Sequence, residues 1–148
     1  MLSFLKPTIK NTSLKKYRGQ TCVIDIMGWL YRGAFSQAVE VNKNEQSLGF
    51  MGYPLKMIKL LLSYDIKPIC IFDGRPHEGK VECEKKRSVD KKKNKELAEH
   101  HEKEGNALEA RKYQTRCLFI KSKQIDLFRE ILDELKLEHY TAPYEADA

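Results

Sequence analysis

The sequence predicts an α/β fold in which a mainly parallel central sheet is flanked by helices and carries a basic helical projection. Two short apolar runs are each typical of a buried strand: QTCVIDI at residues 20–26 and KPICIFDG at residues 67–74. Two helical patterns separate these runs, so the connection is long enough for the strands to pair in parallel. After the second run the composition changes, because residues 76–121 are rich in Lys, Glu and Arg.

The composition indicates one basic domain. The 148 residues suffice for a single core, and a formal net charge of +6 does not by itself separate a polyanion-binding protein from a merely soluble basic one. The four cysteines are scattered without a CxxC pair, which argues against a zinc finger and indicates a reducing compartment. No run approaches the roughly 20 apolar residues that cross a bilayer, so we expect a soluble intracellular protein without a membrane partner.

The first half of the chain predicts strand, helix, helix, strand. After the strand at 20–26 we expect a helix from about Met27 to Val41, a polar loop to Ser47, and a buried helix over about 52–64. The strand at 67–74 follows. Both strands are apolar at consecutive positions, which is typical of a sheet that is covered on both faces.

The second half predicts helices and one short strand. In the basic region we expect two helices joined at Gly105, the second of them capped by Asn106, which stands three residues before a glutamate. Ser122 is expected to cap a further helix, and a short strand should follow near 137–140. The apolar face of that helix recurs at intervals of 3 and 4: Ile125, Phe128, Leu132 and Leu135.

Two aspartates directly follow the predicted buried strands. Asp25 ends the first apolar run and Asp73 ends the second. If the strands are parallel, both carboxylates emerge at the carboxyl edge of the sheet, where open α/β folds place their sites. Taken singly, each is better explained by local structure, Asp25 as the cap of the next helix and Asp73 as part of an Asp-Gly turn. Two such aspartates at matching ends of neighbouring strands favour a shared site.

A second pair of acids, Glu145 and Asp147, stands near the end of the sequence, just after the last predicted strand. At the first turn of a helix they would complement the helix dipole, which is the commoner role of acids there. The alternative is that they converge with Asp25 and Asp73 on bound Mg²⁺, because clustered carboxylates repel one another unless a hard cation is present. Oxygen ligands suit Mg²⁺ or Mn²⁺ rather than zinc.

A dense run of positive charge lies within the basic region. Seven of the eleven residues from Lys85 to Lys95 are cationic, which indicates either a nucleic-acid contact or a solvated helix face. Lys80 and Arg87 are seven residues apart, about two helical turns, and therefore share one face of a helix. A cationic face close to a carboxylate pocket is suited to holding a phosphodiester.

Four stretches resemble a known family: KKYRGQTCVIDIMGWLYRGA, LLLSYDIKPICIFDGRPHEGK, EGNALEARKYQTRCL and APYEADA. They resemble the structure-specific 5′ nucleases, which include flap endonuclease and exonuclease 1, and most closely the exonuclease 1 branch. The resemblance covers nearly the whole chain and implies a PIN-like 5′ nuclease domain with a basic helical arch at about 76–121. We therefore expect residues 1–148 to comprise the N-terminal nuclease region and the start of the internal one, with the rest of the catalytic domain missing.

The resemblance also implies roles for individual residues. The metal ligands would be Asp25, Asp73, Glu145 and Asp147, holding two Mg²⁺ ions that Mn²⁺ replaces. Contacts to the scissile phosphate would come from Lys80 and Arg87. Tyr31 would stack on the terminal base, although from the residues alone it is equally an ordinary aromatic on a helix face. Further DNA contacts are expected from the remaining site residues: Arg32, Lys85, Lys86, Lys91 and Lys92.

The implied function is a nuclear Mg²⁺-dependent 5′→3′ DNA exonuclease of repair and recombination that uses a two-metal mechanism. The expected partner is DNA with a 5′ end, gap, nick or flap, and longer members often carry sliding-clamp or mismatch-repair partner motifs. Flap endonuclease as the main activity, a non-catalytic DNA-binding protein and an RNA substrate stay open as alternatives. Because the family's later aspartates would lie beyond Ala148, we expect the 148 residues alone to be inactive.

Overall fold

A three-stranded parallel sheet organises the chain in this computed structural model, which describes residues 11–75, 79, 81–144 and 146. The strands are β1 (Thr21–Asp25), β2 (Lys67–Phe72) and β3 (Glu138–Thr141), and they lie side by side in that order. Six α-helices accompany them in the described residues: α1 (Ile26–Phe35), α2 (Ala38–Lys43), α3 (Gly52–Ser63), α4 (Val81–Lys103), α5 (Ala107–Arg116) and α6 (Ser122–Glu134). The predicted mainly parallel α/β fold is confirmed.

The register brings the carboxyl ends of all three strands to one edge of the sheet. Asp25 in β1 lies opposite Ile71 in β2, and Phe72 at the end of β2 lies opposite Thr141 at the end of β3. Asp73 is the residue directly after β2. The two aspartates therefore leave the sheet at the same edge and from neighbouring strands, as the apolar runs predicted.

The hydrophobic core lies against one face of the sheet. Ile24, Cys70 and Phe72 are buried on that face and belong to one cluster with residues from α1, α3 and α6. On the opposite face Val23 and Tyr140 are 66% and 56% exposed. The expectation that both faces would be covered is therefore wrong for the part of the chain described. The apolar residues of a strand do alternate between its two faces, but only one set is buried here.

The helix expected from Met27 to Val41 is two helices. The first, α1, ends at Phe35, and α2 begins at Ala38. At the break the Ser36 hydroxyl donates to the Gly33 carbonyl at 3.1 Å, which satisfies an acceptor at the end of α1. Packing explains the change of direction, since α1 contacts α3 whereas α2 contacts α5.

The basic region forms two helices, as expected, and these pack against each other. They are joined around Gly105, whose φ of +75° lies in the left-handed region that glycine adopts without strain. Asn106 caps α5, because its side chain accepts a hydrogen bond from Glu109 N at 3.3 Å. The first two-thirds of α4 is mostly exposed, whereas Ala98, near its end, is buried.

The start of α6 differs from the expectation by one residue. Lys121 is the cap and Ser122 is the first helical residue. Gln124 takes over the capping contact, since its side-chain oxygen accepts from Lys121 N at 2.9 Å. Phe128 is fully buried on the expected apolar face, but Leu135 lies past the helix end and is exposed. Within the described residues, none of the helices has the length and apolarity that crossing a membrane requires.

Candidate active site

Asp25 stands at the junction between β1 and α1. Its Oδ1 accepts hydrogen bonds from the backbone N–H groups of Met27 at 3.0 Å and Gly28 at 3.3 Å, so it is the N-cap of α1. The capping role that was weighed for this residue is therefore real. Capping uses one carboxylate oxygen, and it fixes the carboxylate at the sheet edge.

Asp73 binds the segment that follows β3. Its Oδ1 accepts a hydrogen bond from Ala146 N at 2.8 Å, and Gly74 N donates to the carbonyl of Tyr144. Gly74 permits this approach, because a Cβ atom there would lie 1.9 Å from the Ala142 carbonyl oxygen. Asp73 thus joins two segments at the sheet edge, which a simple Asp-Gly turn would not do.

Both aspartates line one cleft, of about 960 Å³. We call this side of the cleft the carboxylate wall (Asp25 and Asp73). Cations of α4 line the same cleft and are called the cationic wall, with these residues: Arg87, Lys91, Lys92 and Lys95. Farther along α4, the acids Glu99 and Glu102 line it as well. The spacing of 4 from Arg87 to Lys91 and from Lys91 to Lys95 places these side chains on one face of the helix. Carboxylates from the sheet edge and cations from α4 therefore line one cleft.

Tyr31 of α1 also lines the cleft. Its pKa is raised, chiefly because partial burial desolvates the phenolate, while a hydrogen bond to the Ile120 backbone opposes the shift and the Asp73 carboxylate adds to it. The phenol is therefore neutral near pH 7. The influence of Asp73 on this hydroxyl indicates that the ring and the carboxylate share one environment.

A hydrogen-bonded cluster of four residues also lines the cleft, near the end of α4. Asn42 Nδ2 donates to both the main-chain and side-chain oxygens of Gln114, at 3.0 and 2.8 Å. Gln114 Nε2 in turn donates to Glu102 at 3.1 Å, and Glu102 pairs with Lys43 at 2.8 Å. We call these four residues the amide clasp. The clasp joins α2, α4 and α5, and it therefore holds the last turns of α4, beyond the cationic wall, against the other two helices.

The other expected site residues fall into two groups. Arg32 is exposed and lies 5.3 Å from the ring centroid of Tyr53, while Lys85 and Lys86 are exposed on α4; these three are not among the described residues that line the cleft. The remaining three lie outside the described residues: Lys80, Glu145 and Asp147. Among the residues that are described, there is no group of three or more potential metal-binding side chains.

Sequence reasoning missed several residues of the cleft. The pairing within the amide clasp has no sequence signal, because Asn42 and Gln114 are 72 residues apart. Phe119 was missed as well, although it lines the cleft. Lys95 carried a usable signal, since it lies one helical turn beyond Lys91.

Comparison with known proteins identifies the family. Residues 1–95, more than half of the chain, match the XPG N-terminal domain. The chain belongs to the XPG family. This is a family of 5′ nucleases, and the resemblance carried by the sequence motifs is thereby confirmed.

The XPG-family chain is similar along its whole length to proteins named exonuclease 1. It is 38% identical to exonuclease 1 of Danio rerio and 35% identical to that of Drosophila melanogaster, with all of this chain covered in both cases. It is 33% identical over 99% of its length to the DNA damage-inducible protein DIN7 of Saccharomyces cerevisiae. The chain spans 18%, 20% and 34% of these three relatives, respectively.

Solved structures show the same fold. The catalytic core of Rad2 in complex with a DNA substrate superposes with a TM-score of 0.60 and 22% identity, covering 98% of this chain and 37% of the Rad2 chain. A second Rad2 complex with DNA gives a TM-score of 0.57 at 19% identity. The XPG-family chain therefore has the fold of part of a 5′ nuclease core.

Proposed function

We propose that the protein is a Mg²⁺-dependent 5′→3′ DNA exonuclease that hydrolyses phosphodiesters at 5′ ends by a two-metal mechanism. The observation that carries this proposal is that the carboxylate wall and the cationic wall line one cleft. Similarity to exonuclease 1 over the whole chain supports the reaction type. The DNA bound in the Rad2 structures supports DNA as the substrate.

The described acids fit a hard divalent cation. Asp25 and Asp73 offer carboxylate oxygens from neighbouring strand ends, which are the ligands Mg²⁺ prefers. Hydrogen bonds occupy Oδ1 of each residue, and within the described residues neither Oδ2 has a hydrogen-bond partner. The contact from Ala146 N to Asp73 also supports a contribution from its sequence neighbours, so we propose Glu145 and Asp147 as the further ligands.

The chemistry of the site follows from its two walls. Bound magnesium would supply Lewis-acid stabilisation of the charge that develops on the phosphate. Arg87 would hold the scissile phosphate with its forked guanidinium donors, and we propose Lys80 for the same task. Lys91, Lys92 and Lys95 would attract the strand and hold its neighbouring phosphates. Tyr31, neutral and beside the carboxylate wall, would offer its ring to the terminal base.

The wider biological role is a further proposal. We place the full-length protein in the nucleus, acting on gaps, nicks, flaps and free 5′ ends during DNA repair and recombination. The names of its relatives, exonuclease 1 and a DNA damage-inducible protein, support this role. Sliding-clamp or mismatch-repair proteins are the proposed partners. Helices α4 and α5 would act as the arch of the nuclease domain.

A cleavage assay on the full-length protein tests the proposal. Blunt, gapped, nicked and 5′-flapped DNA, together with RNA of the same sequence, would be incubated with Mg²⁺, with Mn²⁺ and with EDTA. We expect mononucleotides or short products from 5′ ends of DNA, with either metal and not with EDTA. Products that consist only of excised flaps would assign the main activity to flap cleavage instead. Cleavage in EDTA, or of RNA alone, would refute the proposal.

A further inference from the structure

Phe119 is an exposed aromatic residue in the segment between α5 and α6. Its side chain is 52% exposed and lines the cleft, whereas its neighbours Leu118 and Ile120 are buried in the core. The Phe119 backbone N–H donates to Asn42 Oδ1 at 3.3 Å. These anchors on both sides hold the segment in place, so the ring is presented to the cleft by a fixed backbone.

The ring lies beside the cationic wall. Lys91 Nζ is 4.9 Å from the ring centroid, which is a cation–π distance. Phe119 is about half exposed and does not belong to the hydrophobic core cluster, so packing in the core does not explain a phenylalanine at this position. An aromatic face bordered by lysines in an open cleft is the combination that binds single-stranded nucleic acid, because the ring stacks on a base while the cations hold its phosphates.

We propose that Phe119 is a stacking residue for an unpaired nucleobase of a single strand that enters the cleft. Lys91 of α4, whose ammonium lies beside the ring, then contacts the phosphate of that nucleotide. The proposal rests on the proposed function, because it assumes that the cleft takes a DNA strand. It adds a second aromatic contact to the one proposed for Tyr31, whose hydroxyl is hydrogen-bonded with the backbone of Ile120, the residue after Phe119.

The competing role for Phe119 is a purely structural one. The contact between Lys91 and Phe119 joins α4 to the segment before α6, and it would do so without any ligand. The two roles differ in which substitution, at Lys91 or at Phe119, should weaken DNA binding more. If the ring only ties α4 in place, removing the Lys91 ammonium is as damaging as removing the ring. If the ring stacks on a base, the ring matters and the ammonium contributes only a phosphate contact.

The test uses single-stranded DNA that carries one 2-aminopurine, a base whose fluorescence falls when it stacks. Binding to the full-length protein is measured in EDTA, so that no cleavage is needed. The variants are Phe119→Leu, Phe119→Tyr and Lys91→Met, and Phe35→Leu is the matched control. Phe35 is 53% exposed and is not among the described residues that line the cleft.

We expect Phe119→Leu to weaken binding about tenfold and to remove the quenching at one position of the base along the strand. Phe119→Tyr keeps an aromatic face and should retain both. Lys91→Met should keep the quenching and lower the slope of log K against log salt by about 0.7, the share of one phosphate contact. Phe35→Leu should change neither quantity.

Three outcomes overturn the inference. The first is quenching that survives Phe119→Leu, and the second is a loss of quenching in Lys91→Met that is as large as the loss in Phe119→Leu. The third is that the wild-type protein does not bind single-stranded DNA. Each is independent of the cleavage assay. Cleavage with Phe119-independent binding would leave the proposed function intact and refute the stacking role. Quenching that depends on Phe119, in a full-length protein that does not cleave DNA, would support the stacking role and refute the proposed function.

Discussion

The two walls of the cleft are built by opposite means. The carboxylate wall is fixed by backbone: Asp25 caps a helix through two N–H groups, and Asp73 accepts a third N–H from the segment after β3. The cationic wall consists of long side chains on an exposed helix, and that helix is fixed to the body near its far end, where Ala98 is buried and Glu102 pairs with Lys43.

This difference corresponds to what each wall has to do. Metal coordination depends on atomic positions to a few tenths of an ångström, so its ligands need rigid supports. Attraction of a phosphate backbone acts over about 8 Å at physiological salt and tolerates mobile side chains. Substitutions in the carboxylate wall should therefore abolish chemistry, whereas substitutions in the cationic wall should produce graded losses.

The largest effect is expected from the carboxylate wall. Asp73→Ala or Asp25→Ala in the full-length protein should lower cleavage by about a thousandfold or more, because each removes a proposed metal ligand. DNA binding, which the cationic wall dominates, should be nearly unchanged. Single-turnover cleavage and equilibrium binding of the same labelled DNA measure the two quantities.

Asp25 needs its own control because it also caps α1. Alanine there should lower the free energy of unfolding by about 1 kcal/mol, whereas asparagine is an equally good cap. Asp25→Asn should therefore keep the melting temperature and still lose cleavage. If both the Asn and Ala variants cleaved at the wild-type rate, Asp25 would be a cap and nothing more.

Arg87→Ala should have the next largest effect, about 30-fold on the single-turnover rate, because its guanidinium is proposed to hold the scissile phosphate. Lys80→Ala should behave in the same way. Both should slow the chemical step more than they weaken binding. Lys93→Ala is a suitable control on the same helix, since this exposed lysine is not among the described residues lining the cleft. A wild-type single-turnover rate for Arg87→Ala would remove it from the site.

The amide clasp offers a test of how the two walls are joined. Asn42→Ala removes two donors to Gln114 and the acceptor for Phe119 N, so it should lower the free energy of unfolding by about 2 kcal/mol. Thermal melting checks this value, with the exposed Gln46→Ala as the control. Equal melting temperatures for the two variants would show that the clasp does not hold the arch.

The smallest effects should come from lysines of α4 that are changed in pairs, and they separate two parts of this helix. Replacing Lys91 and Lys92 with glutamine should lower the slope of log K against log salt by about 1.4 for single-stranded DNA. The same change at Lys85 and Lys86, which are off the cleft, should lower it less. A larger loss from the second pair would mean that the strand follows another face of the helix.

The sequence predicted the carboxylate wall better than the cationic one. Asp25 and Asp73 lie at the ends of apolar runs that are long enough to be strands. Because these strands pair in parallel, both acids lie at the same edge of the sheet. For α4, the charge run predicted a basic helix, but a helix with charges all round does not reveal which face meets the cleft. Lys85 and Lys86 were chosen for that reason although they lie elsewhere.

The other differences arise from contacts between distant segments. No proline or glycine marks the break after Phe35, and it occurs because α2 packs on α5 rather than continuing α1. Partners such as Asn42 and Gln114 are far apart in sequence, so local patterns carry no trace of their pairing. Phe119 was missed for a related reason, since an isolated phenylalanine between two core residues is typical of a buried segment.

Metal binding tests the central claim most directly, namely that acids from neighbouring strands form one cation site in the cleft that the cationic wall also lines. Mn²⁺ titration followed by electron paramagnetic resonance would be run on the full-length wild-type protein, Asp25→Asn, Asp73→Asn and the Lys91→Met control. We predict that each Asp→Asn change weakens Mn²⁺ binding by about tenfold or more, while Lys91→Met leaves it unchanged. Mn²⁺ binding that is identical in all four proteins would contradict the account.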